Sequence, residues 1–358
     1  MSALLLSLYP GILSALSAPS VLCIGETLFD GLPAGIYLGG APLNVACHLS
    51  SLGVSASYAS AVGSDRLGIE AVRRLRAKGV DTSLISVVDE AETGFVTALI
   101  DDDGDATYDF VTPAAWDFTS SSGVAEAAGA ADAVVFGTLG ARSDGTRTAI
   151  NVAAGAATYA VCDVNLRPPF IDAAVVAGAA RSADLLKLND EELLPVAQML
   201  LTTATAGSVS AALAETAIAA AAAAAETPEA GAIAKAAGSL AVAAGRASSV
   251  VVTRGECGAV LWEADGDIRT GGTAWACGGF LAPVIADTVG AGDAFLAALL
   301  ASRLGADGDA AAALEAGCRL GAFVAGKPGA TPMHQPEEIE QLRPAGGIVS
   351  GGVVEVDF

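Results

Sequence analysis

The chain has 358 residues, 53% of them hydrophobic, enough to bury the core of one large globular domain with at most a small appendage. Its 18 Lys and Arg against 40 Asp and Glu leave a formal charge of −22, which repels polyanions and excludes nucleic acid as the substrate. The two histidines, His48 and His334, are too few for a zinc site, and His48 reads as a packing or capping residue.

The first 20 residues, MSALLLSLYPGILSALSAPS, are apolar but broken by Pro10 and Gly11, and the first basic residue of the chain is Arg66. Neither a membrane span nor the charged start of a signal peptide looks like this, so residues 1–20 are expected to be an N-terminal extension of a domain spanning 21–358. Six cysteines, at 23, 47, 162, 257, 277 and 318, form no CxxC pair and lie mostly in apolar runs, as buried reduced thiols of a cytoplasmic protein do. The acidity fits either a solvated surface or salt-rich surroundings.

Along the chain, VLCIG (21–25) reads as a first strand, and GETLFD (25–30) carries Asp30 beyond its end. LGGAPLNVACHLSSLG (38–53) starts a helix at Gly39 and Gly40 and places Asn44 in its first turns, an amide able both to donate to and accept from a hydroxyl-rich ligand. ASYASAV (56–62) is a strand, and DRLGIEAVRRLRAKG (65–79) a helix. Residues 93–116 alternate on either side of DDDGD and predict a hairpin, which with an extended piece near 28–39 forms a small sheet placed as a lid over roughly 28–40 and 93–118.

DAVVFG (132–137), TYAVCDVN (158–165), ADLLKLN (183–189) and SSVVVTRG (248–255) then alternate with helical stretches. This is the βαβ rhythm of a mainly parallel sheet covered on both faces, a three-layer α/β sandwich, with ligands expected beyond the carboxyl ends of the strands. Residues 201–248 are Ala-rich and helical by propensity, with a break and restart at Thr227, Pro228 and Glu229, Thr227 as the N-cap.

The stretch DTVGAGDAF (287–295) precedes a long apolar helix. A helix N-terminus carries unpaired N–H groups and a partial positive charge, and Gly290, Ala291 and Gly292 allow an anion to reach that backbone. Asp293 beside an anion site makes chemical sense as a base that takes the proton of an attacking hydroxyl. Capping of first-turn N–H groups explains it equally well if the turn is taken alone. Asp163, Asn165 and Arg167 of CDVNLRP offer a carboxylate, an amide and a guanidinium within five residues, suited to a charged or hydroxylated ligand.

The two glycine-rich stretches resemble the two signatures of the ribokinase-like (PfkB) carbohydrate kinases, and GGAPLNVA is similar to the fructokinase form. The likeness runs in order through roughly residues 20–335. It implies a ribokinase-like sandwich with a β-sheet lid, the sugar between them and ATP across the strand ends. By that resemblance Asp30, Gly39, Gly40, Asn44, Asn165 and Arg167 bind the sugar, Gly290, Ala291 and Gly292 form the anion hole, and Asp293 is the base. KLNDEE (187–192) resembles the N-x-x-E motif through Asn189 and Glu192, implying Mg²⁺ held through water, with Lys187 adding charge. VVTRGECG resembles a nucleotide-binding T-x-G-x-x-G segment through Thr253, Gly255 and Gly258, with Arg254 beside them.

A monovalent cation such as K⁺ would use Asp287 and carbonyls near Val289 and Ala330. D-Fructose leads as the acceptor; 2-keto-3-deoxygluconate, ribose and nucleosides compete, and DATYDF lacks the basic residue found before the aromatics of many fructokinases. A non-catalytic sugar-binding or nucleotide-binding relative is the reading from another class. A Rossmann oxidoreductase would need G-x-G-x-x-G after the first strand, where GETLFD stands instead. No membrane partner is expected, and a homodimer pairing the lids would cover their unpaired edges.

Overall fold

Short runs rich in Val, Ile and Leu, separated by helices, can satisfy their backbone only by pairing in parallel beneath covering helices. The structure, a computed structural model, describes residues 18–32, 35–100, 106–281, 288–305, 308–342 and 353–358. Its strands are β1 (Ser20–Ile24), β2 (Leu28–Leu32), β3 (Gly35–Gly39), β4 (Ser55–Gly63), β5 (Ile85–Val88), β6 (Gly94–Ile100) and β7 (Ala106–Phe110). They continue as β8 (Ala133–Gly137), β9 (Ala160–Asp163), β10 (Leu185–Asn189), β11 (Ser249–Thr253), β12 (Ala259–Ala264), β13 (Gly272–Cys277) and β14 (Val354–Glu355). The helices are α1 (Ala41–Ser51), α2 (Arg66–Ala77), α3 (Val124–Ala130), α4 (Asp144–Ala156), α5 (Ala173–Ser182), α6 (Leu193–Thr202), α7 (Val209–Glu226), α8 (Ala230–Ala244), α9 (Ala291–Arg303), α10 (Ala310–Ala325) and α11 (Pro336–Glu340).

Among the described residues, ten strands form one sheet in the order β14-β13-β12-β11-β10-β9-β8-β1-β4-β5. It is parallel from β5 to β11, and its β11 side is extended by the antiparallel β12, β13 and β14. Alternate side chains of each strand enter opposite cores: Leu22, Ile24, Val134 and Phe136 face one, and Val21, Cys23, Ala133 and Val135 the other. Helices α3 to α8 cover the first core, and α1, α2, α9 and α10 the second. This is the three-layer sandwich the sequence predicts.

A separate four-stranded sheet, β3-β2-β6-β7, is the expected small sheet: β6 and β7 are the predicted antiparallel hairpin, and β2 pairs in parallel with β6. The turn DDDGD lies outside the described residues, as do residues 1–17 of the extension.

One local expectation is corrected. The Ala-rich segment does break at 227–229, but Thr227 is the C-cap of α7 and Glu229, not Thr227, is the N-cap of α8, so Pro228 stands between the helices rather than in a first turn. Five cysteines are buried, whereas Cys257 is exposed because its short turn between β11 and β12 projects from the sheet. Helix α7 is apolar and long enough by composition to cross a membrane, yet Ala214, Ala217, Ala221 and Ala224 pack into the core.

Candidate active site

Helices α1 and α9, each led by a glycine, start beside each other. Gly40 (φ 123°) is the N-cap of α1 and Gly290 (φ 79°) that of α9, positive values that a side chain makes costly. A Cβ on Gly290 would lie 2.6 Å from the Cα of Ala330. No side chain caps the first turn of α9, unlike α2, α5, α7 and α10, which Asp65, Asp172, Ser208 and Asp309 cap. The same holds for α3, α4, α6 and α8, so the start of α9 is set apart by its glycines and Asp293 rather than by the missing cap.

Asp293, 8% exposed, turns inward from that start, and Asn44 Nδ2 donates to its Oδ2 at 2.8 Å. Burial and the negative charge of Asp163 push the Asp293 carboxyl up to about 7, while Lys187, Asn44 and Arg167 act in the opposite direction. Asn44 Oδ1 is buried without a partner, an unused acceptor next to this carboxyl. Asp30, on β2, lies over Gly39, whose missing side chain leaves room for its carboxylate.

On the other flank, Lys187 Nζ donates to both oxygens of Asp163, at 2.8 and 2.9 Å, and a Cβ on Gly292 would lie 3.2 Å from that nitrogen. Burial pulls Lys187 down, but Asp163 and then Asp293 hold it above its ordinary value, so its charge stands beside the anion-hole turn. Among the described residues, Asn165 is the one non-glycine with positive φ, 42°, a strained conformation of the kind that marks functional loops. Arg167 is exposed, donates to Leu166 O at 3.3 Å and pairs with no carboxylate among the described residues.

Glu192 and Asn189 cap each other: Glu192 N donates to Asn189 Oδ1 and Asn189 N to Glu192 Oε2, both at 3.0 Å. Glu192 Oε1 accepts from Leu166 N at 2.6 Å, so the carboxylate joins two strand-end loops and keeps only its remaining lone pairs. That donor set fits a hydrated cation carried on the nucleotide better than a chelated one, and no cluster of three metal-ligating side chains exists among the described residues.

Thr253 is level with Asn189 in the sheet, and Gly255 (φ 52°) faces open space. Arg254 Nη2 donates to Pro228 O at 2.8 Å, tying it to the loop between α7 and α8, and Gly258 (φ 86°) is required by its packing on Gly278 and Gly279. Asp287 lies outside the described residues, and the carbonyl of Ala330 pairs with His48 Nε2 at 2.9 Å.

Glu26 is the residue the sequence reading missed. Its Oε1 accepts from Ala41 N at 2.9 Å at the start of α1, and Oε2 is buried without a partner. An acid just past the carboxyl end of β1, where ligands of such sheets are expected, was the available signal.

Two glycine-led helix starts with a buried carboxylate between them, beside a sandwich that carries a separate small sheet, make up the ribokinase-like architecture. The chain belongs to the family described as pfkB family carbohydrate kinase, whose model matches residues 33–337. It is similar to a fructokinase of Rhizobium leguminosarum bv. trifolii, 27% identical over 191 residues, covering 48% of this chain and 58% of that protein. It is also similar to a fructokinase of Salmonella typhimurium, 31% identical over 191 residues, covering 49% and 61%. The match thus spans about 60% of the length of these curated relatives. The crystal structure of a Vibrio cholerae fructokinase in fructose, ADP and calcium ion bound form shares the fold, with a TM-score of 0.68 at 21% identity, covering 90% of this chain and 98% of that one.

Proposed function

We propose that this protein is an ATP-dependent sugar kinase that transfers the γ-phosphoryl group to a primary hydroxyl, with D-fructose to fructose 6-phosphate as the leading reaction. The observation that carries it is the buried Asp293–Asn44 pair at the uncapped start of α9. The acceptor alcohol donates to Asp293 Oδ1, its oxygen bonds to the γ-phosphorus, the bond to ADP breaks, and the proton stays on the carboxyl. Gly290, Ala291 and Gly292 receive the transferring group, with the Lys187 charge behind them. Asp30, Gly39, Gly40, Asn44 and Asn165 hold sugar hydroxyls, the orphaned Asn44 Oδ1 taking one as a donor.

Thr253 and Gly255 border the nucleotide with Asn189. Mg²⁺, when bound, would neutralise developing phosphate charge, and Glu192 would hold it through its water shell. The monovalent-cation reading rests on Asp287.

Unpaired Arg167 favours one second reading, an acceptor that carries a carboxylate such as 2-keto-3-deoxygluconate. A non-catalytic relative would be marked by loss of Asp293 or of the Gly290–Gly292 turn, and this sequence keeps both. The exposed Ile36 on β3 suits a homodimer in which lids pair.

ADP release measured over D-fructose, 2-keto-3-deoxygluconate, ribose and a nucleoside, with and without Mg²⁺, should show Mg²⁺-dependent turnover led by D-fructose. Turnover of none of them would remove the proposal, and a lead for the sugar acid would select the second reading. Asn44→Ala should raise the KM for the sugar roughly tenfold, the scale of one lost buried hydrogen bond. It should also move the midpoint of the kcat/KM profile above pH 7, because Asn44 holds Asp293 down. An unmoved midpoint would separate Asn44 from the base.

A further inference from the structure

A small apolar cluster outside the two main cores joins the lid to the loop that carries Asn165 and Arg167. Ala114, Trp116 and Leu139 are its buried members, and Phe110 and Phe170 pack against them. Phe110 is the last residue of lid strand β7, and Phe170 closes the turn begun at Arg167, its N–H donating to Arg167 O at 2.9 Å. The two rings meet edge to face, centroids 5.3 Å apart at 88°.

Beneath them Arg142 grips Asp117 through Nε at 2.9 Å and Nη2 at 2.8 Å, both side chains 7% exposed. The guanidinium lies 4.4 Å from the Phe170 ring centroid and 3.8 Å from that of Trp116, and its Nη1 is buried without a hydrogen-bond partner. Arg142 is therefore a fixed cationic seat, and Phe170 is a ring resting on it that bridges to the lid. The same ring borders a cleft of about 460 Å³ lined also by Thr112, Pro113 and Ser143, which gives it space to leave that seat.

We propose that Phe110 and Phe170 are positioning residues, a joint through which the 165–170 loop, once it holds the acceptor, keeps the lid closed during transfer. The proposal rests on the sugar-kinase reading above. With the joint seated, the acceptor oxygen is the nucleophile: its bond to the γ-phosphorus forms, the bond to ADP breaks, and the alcohol proton goes to Asp293. With the ring withdrawn the lid opens and water takes the same place, giving ADP, inorganic phosphate and a proton.

Phe170→Ala and Phe170→Leu are compared with the wild type for kcat, for KM of the accepted sugar and of ATP, and for the ratio of ADP released to sugar phosphate formed. The wild type should give a ratio near one. Phe170→Ala should raise the sugar KM about tenfold, the scale of one aromatic contact and its cation–π seat, leave the ATP KM unchanged and release ADP in excess of sugar phosphate. Phe170→Leu, which restores apolar contact, should recover most of the coupling. Phe110→Ala attacks the joint from the lid side and should give the same uncoupling, with the double variant no worse than either single one.

An active wild type whose variants keep a ratio of one and an unchanged sugar KM overturns the joint alone. So does a loss confined to kcat with a lowered melting temperature, shared by Phe170→Leu, since a merely structural role does that. A wild type that phosphorylates no sugar overturns the kinase reading and the joint with it.

Discussion

Asp293→Asn is expected to lower kcat by about 10² to 10⁴, the usual contribution of a positioned base, while leaving the sugar KM within a few fold. The amide keeps the shape and can still meet Asn44, so the loss isolates proton acceptance from packing. The pH dependence follows from the same carboxyl. With Asp293 pushed up to about 7, the wild-type kcat/KM should climb through pH 7 to a plateau above it, and the variant profile should be flat there.

Stability carries the opposite sign. A carboxyl raised above its unfolded value of about 3.9 favours the folded state only while protonated, a contribution present in full below that value and lost as pH rises through about 7. The wild type should therefore lose melting temperature between pH 5 and 8 more steeply than Asp293→Asn, which should be the more stable of the two at pH 8. Full activity in the variant, or melting curves that respond identically to pH, would take the base role away from Asp293.

The sheet was legible because parallel strands buried on both faces read as uninterrupted β-branched runs, and β1, β4, β8, β9, β10 and β11 each begin and end within a residue or two of one. The helix starts at Gly40 and Gly290 were legible for a similar reason, since positive φ leaves glycine as the economical choice. What the chain did not disclose is where long side chains point. Arg254 carries the charge a nucleotide site wants but spends it on Pro228 O, and Lys187 carries another that is committed to Asp163. Neither choice is written in local spacing, because each partner comes from a distant segment.

Glu26 was hidden in the same way: its role depends on the fold returning Ala41 to within hydrogen-bond reach. The meeting of Phe110 with Phe170 likewise depends on how the lid folds back onto the 165–170 loop. In the Ala-rich segment the sequence signals competed, and Glu229 rather than Thr227 became the cap because Thr227 still closes α7 through its N–H to Ala223 O.

Lys187→Met should be the most destabilising single change at the site. Lys187 and Asp163 are both buried, joined by two hydrogen bonds, and removing the ammonium leaves the Asp163 carboxylate uncompensated within the field of Asp293. Breaking one side of a buried pair costs about 3–5 kcal/mol, whereas replacing both sides with uncharged groups is often close to neutral. Denaturant melts should thus show a large loss for Lys187→Met and recovery of most of it in Lys187→Met with Asp163→Asn. Activity should not recover in parallel. The double variant removes from Asp293 both its largest Coulombic repulsion and its largest attraction, so the midpoint of the base stays set by burial, but the charge beside Gly292 is gone and phosphoryl transfer slows. A double variant that regained both stability and rate would reduce Lys187 to a neutraliser of Asp163. Regained stability with a slow enzyme would mark the ammonium as part of the anion hole.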